Sequence, residues 1–279
     1  MNQGEIKDVV KEAVSFVSPW LERLARLGYI AKGTVYLVIG VLAIRVAING
    51  YGQTEDTQGA LYTIEQQPFG QILLAIAALG FLGYAVWLFV RASLDVDHKG
   101  SGLRGVLKRV GYAITAIIHL GLTYLAIRMI FQIGRSSSDA TAVAWTAKLM
   151  QQPFGIWLVY LVGLTIIGIG LFRFYQAYTA GFQNEMKLSE MEQTEKVWTI
   201  WLGRLGLAAQ GIVFGVIGGF FIQAAAEFDP SEARGLDGAL QALAMHPFGQ
   251  VLLGIVALGL TAHGIYLFSQ ARYNQVRTT

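Results

Sequence analysis

Six long apolar runs, separated by short polar stretches, set the pattern of this chain. They cover about residues 27–48, 68–91, 110–131, 153–178, 203–226 and 247–270, and none alternates between apolar and polar residues as a half-buried strand does. Each run has about 20 or more residues, the length that a helix needs to cross the hydrocarbon core of a bilayer. The pattern therefore predicts an all-α, polytopic membrane protein with six transmembrane helices.

The apolar runs begin with two recurring motifs. Pro-Phe-Gly opens every second run, at Pro68-Phe69-Gly70, Pro153-Phe154-Gly155 and Pro247-Phe248-Gly249. Arg-x-Gly opens the other three, at Arg26-Leu27-Gly28, Arg109-Val110-Gly111 and Arg204-Leu205-Gly206. Self-similarity of this kind indicates a repeat architecture. We therefore predict three parallel helical hairpins with pseudo-threefold symmetry about the membrane normal.

The motifs also divide the chain into segments. We predict repeat 1 over residues 23–92, repeat 2 over 107–180 and repeat 3 over 203–272, with a cytoplasmic linker over 181–202. Residues 1–22 are predicted to form an amphipathic segment at the membrane interface, either as a helix that ends near Pro19 or as a frayed polar tail. This segment mixes acidic and basic residues and has no apolar core, so it lacks the pattern of a signal peptide.

A corner between two helices explains the Pro-Phe-Gly motif. Proline is favoured in the first turn of a helix, and it disfavours helical geometry in the residue before it. Phenylalanine suits the membrane interface, and glycine lets a neighbouring backbone come close. We therefore predict a structural role for the nine residues of the three motifs.

The composition agrees with a protein that exposes much of its surface to lipid. Hydrophobic residues make up 54% of the chain and charged residues only 14%, whereas soluble domains carry about 25% charged residues. The chain has no cysteine, which excludes disulfides and thiolate chemistry. Lys and Arg are concentrated in the N-terminal segment, in the second and fourth connections and in the C-terminal tail. The positive-inside rule then predicts that both termini are cytoplasmic.

Tandem two-helix repeats with Arg-x-Gly at one end and Gln-Pro-Phe-Gly at the other resemble the bacterial membrane-protein family of domain of unknown function 1206. The resemblance covers residues 23–272 in three copies. The last copy has His246 in place of the glutamine, and the middle copy lacks the Gly-Ala-Leu found at 59–61 and 238–240. The resemblance implies a multi-pass protein of the bacterial cytoplasmic membrane, and it brings no established activity or functional residue.

Polar residues recur on one face of the first, third and fifth runs. If these runs line the pseudo-threefold axis, positions spaced by four residues face it. The polar members of this stripe are Lys32, Tyr36, Thr115, His119 and Gln210. They are a candidate site for an ion or a small solute. The structural alternatives are a Lys32 side chain that extends to the headgroups, a Thr115 hydroxyl bonded to its own helix, and a neutral His119 bonded to a neighbour.

Two histidines at similar depth, His119 and His263, could instead ligate a haem or contact another lipophilic cofactor. No carboxylate lies within an apolar run, and the hydrolase, zinc-peptidase and phosphate-loop motifs are absent. We therefore expect no catalytic activity, no metal site and no bound cofactor.

Three functions stay open at this point. The first is a non-enzymatic accessory or scaffold bundle, the second is a path for an ion or small solute, and the third is a cofactor protein. The expected partners are membrane lipids, and also other membrane proteins or a second copy of the chain. Nucleic acid is not expected as a partner.

Overall fold

The computed structural model describes residues 3–50, 52, 54–94, 102–131 and 138–274, and among them the side chains of all but residues 3–21, 94, 104, 138 and 185. These residues form nine α-helices and no strand. The helices are α1 (Gln3–Asn49), α2 (Thr57–Glu65), α3 (Gly70–Leu94), α4 (Leu103–Ile130), α5 (Ser138–Met150), α6 (Gly155–Thr179), α7 (Gln193–Glu227), α8 (Leu236–Met245) and α9 (Gly249–Tyr273). Six of them, α1, α3, α4, α6, α7 and α9, are long and apolar enough to cross a membrane, which confirms the predicted six-helix architecture.

The N-terminal helix is longer than predicted. A single helix, α1, runs from Gln3 to Asn49, so the helix end predicted near Pro19 is wrong. A proline inside a helix removes one backbone hydrogen bond and can bend the helix, but it does not have to end it. A position at the membrane interface for residues 1–22 stays a prediction.

The linker predicted over 181–202 is shorter in the structure, because α7 already begins at Gln193. Before α7, the chain forms two 3-10 turns. Phe182 and Met186 from these turns are buried against Tyr266 and Tyr273 of α9. The linker is therefore docked on the bundle.

The six long helices are neighbours in the order of a ring. We call α1, α4 and α7 the first helices of repeats 1, 2 and 3, and α3, α6 and α9 the second helices. Each second helix packs against the first helix of the next repeat, in the pairs α3–α4, α6–α7 and α9–α1. Within repeats 1 and 3, the two helices of the hairpin also pack together. The order of neighbours is therefore α4–α3–α1–α9–α7–α6.

Glycines bring the two helices of repeats 1 and 3 together. In repeat 1, a Cβ atom at Gly28 of α1 would lie 2.7 Å from the carbonyl oxygen of Gly80 in α3. In repeat 3, a Cβ atom at the equivalent Gly206 of α7 would lie 2.6 Å from the Cα of His263 in α9. Such distances are too short for any side chain, so both contacts require glycine.

Repeat 2 is the exception, because α4 and α6 make no extended contact in the part of the chain that the structure describes. The residue equivalent to Gly80 is Thr165, whose branched side chain is too wide for a close approach of two backbones. A Cβ atom added at Gly111 of α4 or Gly168 of α6 would meet nothing within 4 Å. We call the exposed faces that carry Gly111, Thr165 and Gly168 the open flank.

Each Pro-Phe-Gly motif forms a corner between a short helix and a long one. The proline is the second residue of a turn in which the Gly70 N–H donates to the Gln67 carbonyl at 2.8 Å, and the other two copies repeat this bond. The long helix begins at the glycine. The proline therefore precedes the helix instead of lying in its first turn as predicted, because its ring suits the second position of the turn.

The corner glycine has the predicted role. A Cβ atom at Gly70 would overlap the backbone carbonyl of Glu65, the last residue of α2. The phenylalanines Phe69, Phe154 and Phe248 are 78%, 80% and 72% exposed, so their rings lie on the surface of the protein. Their position at a membrane interface stays a prediction.

In repeats 2 and 3, the arginine of the Arg-x-Gly motif connects the start of the repeat to the end of the previous one. Arg109 of α4 donates to the carbonyls of Ala92 (2.6 Å) and Ser93 (3.0 Å) near the end of α3. Arg204 of α7 donates to the Tyr178 carbonyl of α6 at 3.4 Å. A cation at a helix C-terminus binds unpaired carbonyls and the negative end of the helix dipole. We call this end of the bundle the Arg end, and the opposite end the corner end.

The middle of the bundle is apolar. Its buried residues include Val35 of α1, Phe81 of α3, Met129 of α4, Val213 of α7 and Leu260 of α9. Because lipid is as apolar as these side chains, this core is stabilised by close packing rather than by removal from water. Side chains of α4 and α7, which are not neighbours in the helix order, meet in the same core.

Candidate functional site

The polar residues predicted to line the axis lie in the Arg-end half of the bundle. His119 and Gln210 are each only 5% exposed, and Lys32, Tyr36 and Thr115 are half-buried. The first helices α1, α4 and α7 make no extended contact with one another among the described residues, and a common axis lined by these side chains stays a prediction. They fall into two groups, one around His119 and one around His263.

The first group connects α1, α3 and α4. The Lys32 Nζ lies 4.6 Å from the centre of the Tyr84 ring, and this ring lies 4.8 Å from the His119 ring. His119 Nδ1 lies 2.7 Å from the Thr115 carbonyl, and the Thr115 hydroxyl donates to the Gly111 carbonyl at 2.8 Å. Thr115 and His119 thus bond within their own helix. The sequence analysis missed Tyr84 because an aromatic residue in a span has no distinguishing signal.

The second group connects α1, α7 and α9. The Tyr36 ring lies 4.9 Å from the His263 ring, edge to face. Gly206 of α7 packs directly on His263, and Gln210 lies one turn further on the same face of α7. Among the described residues, His263 Nδ1 and Gln210 Oε1 are buried and have no hydrogen-bond partner. Buried polar atoms without a partner are rare in native proteins and call for a physical explanation.

The sequence analysis also missed an arginine inside the fourth run. Arg173 on α6 is equivalent to Leu88 and Leu267 when the repeats are aligned at Pro-Phe-Gly, and both leucines are 2% exposed. Arg173 therefore occupies an inward position, where it is half-buried. Its Nη1 donates to Gln176 Oε1 at 3.2 Å, and its buried Nε has no partner in the described part of the chain. The same alignment was the signal that could have revealed it.

Gly40 and Gly218, which continue the four-residue spacing of Tyr36 and Gln210, pack against second helices. Gly40 of α1 lies against Ala257 and Thr261 of α9, and Gly218 of α7 lies against Gly163 of α6. These contacts join neighbouring repeats and do not join the three first helices. A continuous polar path along an axis therefore stays a prediction.

The two histidines lie against different aromatic rings. His119 contacts Tyr84, whereas His263 contacts Tyr36 and Tyr266. The residues that the structure describes contain no group of three or more His, Cys, Asp or Glu placed to hold a metal ion. Ligation of a haem by both histidines also stays a prediction.

The three repeats coincide with three matches to one family model. The model of the Domain of Unknown Function DUF1206 matches residues 27–95, 110–180 and 205–274. The chain belongs to the DUF1206 family. It is 36% identical over 258 residues to the uncharacterized protein YxxB of Bacillus subtilis (strain 168), an alignment that covers 92% of this chain and 93% of that protein. No solved structure matches the chain.

Proposed function

We propose that this DUF1206 protein is a non-enzymatic accessory bundle of the bacterial cytoplasmic membrane, and that its open flank binds a transmembrane helix of another membrane protein. The proposal rests on one observation, the missing contact between α4 and α6. Every other pair of consecutive helices in the ring order packs together, so the flank is the one place where the order of a closed ring is interrupted in the described residues.

The chemistry of the flank supports a helix as its occupant. Other pairs in the bundle bring their backbones together at glycines, as at Gly33 and Gly264 between α1 and α9. Gly111 and Gly168 are the same type of residue with nothing against them. Only 22% of the most apolar stretch of α4 and of α6 is buried, against 56% for α3 and α9. Because small residues let transmembrane helices approach closely, the flank fits a helix whose contact face also carries small residues.

Photocrosslinking in living cells tests this proposal. A photoreactive amino acid at Thr165, on the flank, is expected to give a discrete protein adduct. The same amino acid at Ile255, which is 59% exposed on α9, is expected to react with lipid alone. The substitution Gly168→Leu adds a side chain to the flank at a position where a Cβ atom would meet nothing within 4 Å, and it should reduce the Thr165 adduct about tenfold because it overpacks the new interface.

Two results would contradict the proposal, and a third would change the identity of the partner. Equal adducts at both positions, or an adduct that persists in Gly168→Leu, would contradict a helix docked on the flank. An adduct with the mass of two identical chains would show that the partner is a second copy of this chain and not another membrane protein.

We further propose that the Arg end faces the cytoplasm, as the distribution of Lys and Arg predicts. The absence of cysteine allows single-cysteine labelling. Ser189, in the turn before α7, and Ser231, before α8, are both exposed. A membrane-impermeant thiol reagent added to intact cells should label Ser231→Cys and leave Ser189→Cys unlabelled until the cells are opened. The opposite labelling pattern would show that the Arg end faces the outside of the cell.

An ion or solute path and a cofactor role are the alternatives. The apolar core contains buried side chains from α1, α3, α4, α7 and α9, and this weighs against a continuous polar path. No observation favours a bound haem over the structural roles of His119 and His263. We therefore rank both below the accessory bundle.

A further inference from the structure

Lys32 and Arg173 lie more than one helical turn inside the Arg-end edges of the first and fourth apolar runs, and the apolar runs hold no carboxylate to pair with them. Among the described residues, the Lys32 ammonium has the Tyr84 ring as its partner, and Arg173 has one hydrogen bond, to the neutral amide of Gln176. A charge in a low-dielectric environment is strongly unfavourable unless it is paired. Two such charges without an acid nearby indicate that the protein binds an anion from outside the chain.

The packing of α6, α7 and α9 brings the relevant residues to one place. Gly170 of α6 lies against Gly211 of α7, so Arg173, one turn nearer the Arg end, lies beside the same segment of α7 as Gln210. Gly206, on that segment, packs on His263. Gly33, next to Lys32 on α1, packs on Gly264, next to His263 on α9.

Three buried polar atoms in this region have no partner among the described residues. They are Arg173 Nε, His263 Nδ1 and Gln210 Oε1. His263 and Gln210 are 95% removed from solvent, since each is 5% exposed. Each unpaired buried atom carries a desolvation penalty that a bound hydrogen-bonding group would remove. One oxyanion accepts from Arg173 Nε and from His263 when Nδ1 carries the proton, and Gln210 can donate as well, because the amide oxygen and nitrogen are interchangeable by rotation.

The repeats show that Arg173 is not needed for packing. The equivalent positions in repeats 1 and 3 hold the buried leucines Leu88 and Leu267, so an apolar side chain satisfies the fold there. Ionisable residues inside transmembrane segments are costly and usually functional. The arginine is therefore best explained by a role that leucine cannot perform.

We propose that a phosphate group binds inside the bundle between Arg173, Lys32 and His263, with Gln210 as an additional hydrogen-bonding partner. Arginine and lysine are the usual ligands of phosphate, and two cations match its charge. The group belongs either to the headgroup of an anionic phospholipid or to free inorganic phosphate. This inference does not depend on a partner helix at the open flank, because the residues involved come from one chain.

The test measures ligand-induced thermal stabilisation of the delipidated protein in an uncharged detergent. Three probes are compared: a short-chain phosphatidylglycerol, the diacylglycerol with the same tails but no phosphate, and inorganic phosphate against chloride at equal ionic strength. Phosphatidylglycerol or inorganic phosphate should raise the melting temperature of the natural protein, and diacylglycerol should not. Stabilisation by phosphatidylglycerol alone identifies a lipid headgroup, and stabilisation by inorganic phosphate identifies a free anion.

Matched variants separate binding from folding. Arg173→Leu introduces the residue found in the other repeats. It should lower the affinity for the stabilising probe about tenfold or more, because a charge-assisted hydrogen bond is lost. Lys32→Met removes the second cation, which lies on a different helix, and should also weaken the binding of the probe. Arg272→Leu, which removes an arginine whose side chain is 73% exposed, should leave the affinity unchanged.

The readout is the increment produced by the probe rather than the stability of each variant alone. A purely structural arginine would change the melting temperature of the free protein and leave the increment intact. The proposal is overturned if no phosphate probe stabilises the natural protein, or if Arg173→Leu binds as tightly as that protein. If Arg173→Leu does not fold, unchanged affinity in Lys32→Met overturns it.

Discussion

Replacing Gly206 with leucine is expected to disrupt the packing of repeat 3. A Cβ atom at this position of α7 would lie 2.6 Å from the Cα and 2.8 Å from the Nδ1 of His263. The Cα belongs to the backbone in the middle of α9 and can move only if the helix is displaced. Overpacking of this severity costs about 3 kcal/mol or more. Size-exclusion chromatography after stepwise heating should show that the variant loses its monodisperse peak well below the temperature that the natural protein survives.

The equivalent glycines of the other repeats provide the controls. Gly28→Leu should be as damaging, because its Cβ would lie 2.7 Å from the Gly80 carbonyl oxygen and 3.2 Å from the Tyr84 ring. Gly111→Leu should not destabilise the protein, since nothing lies within 4 Å of its Cβ and leucine favours a helix over glycine by up to about 1 kcal/mol. Equal damage at all three positions would mean that repeat 2 closes like the others and that the open flank does not exist.

The six spans and the three repeats could be predicted from the sequence because they depend on local properties. Length and hydropathy decide whether a helix can cross the hydrocarbon. The corner motif repeats its turn hydrogen bond wherever Pro-Phe-Gly occurs, although Phe69 and Phe154 have positive φ and Phe248 has negative φ. By contrast, α1 continues through Pro19 because a proline penalty is a preference that the remaining helix can outweigh.

The open flank could not be predicted, although its cause is visible in the alignment. Thr165 stands where repeats 1 and 3 have glycine. In isolation this is a small substitution in an apolar run. Its consequence, the loss of contact between α4 and α6, depends on how close two backbones must come, and that distance is a property of the assembled helices.

The candidate site was predicted in part. The sequence indicated which side chains are polar and inward, and His119 and Gln210 are indeed buried. The prediction of one common axis rests on helical periodicity, which shows which residues share a helix face but does not show which helix packs against that face. The structure pairs each second helix with the next repeat, so His119 meets Tyr84 and His263 meets Tyr36. Arg173 was missed because one arginine hardly changes the mean hydropathy of a long apolar run, and its inward position follows only from the alignment with Leu88 and Leu267.

Replacing Gly249 with alanine is expected to be among the most damaging single changes at the corner end. The added methyl group would overlap the backbone carbonyl of Ala244 and lie 2.9 Å from the Leu243 carbonyl oxygen. Both groups belong to the end of α8, and the Gly249 N–H is itself held at 2.7 Å by the His246 carbonyl. The corner therefore cannot open without losing the turn, and we expect a loss of about 3 kcal/mol or more.

Gly254→Ala is the matched control, because it makes the same chemical change five residues further along α9. Its Cβ would meet only the Cβ of Ala47, at an ordinary 3.8 Å, and alanine favours a helix over glycine by up to about 1 kcal/mol. The two variants should therefore shift the melting temperature in opposite directions, with Gly249→Ala lower and Gly254→Ala equal or higher than the natural protein. If Gly249→Ala has the same melting temperature as the natural protein, the corner tolerates a side chain, and the recurrence of glycine in Pro-Phe-Gly needs another explanation. If both variants are equally damaged, α9 rejects any added methyl group and the clash at the corner is not the cause.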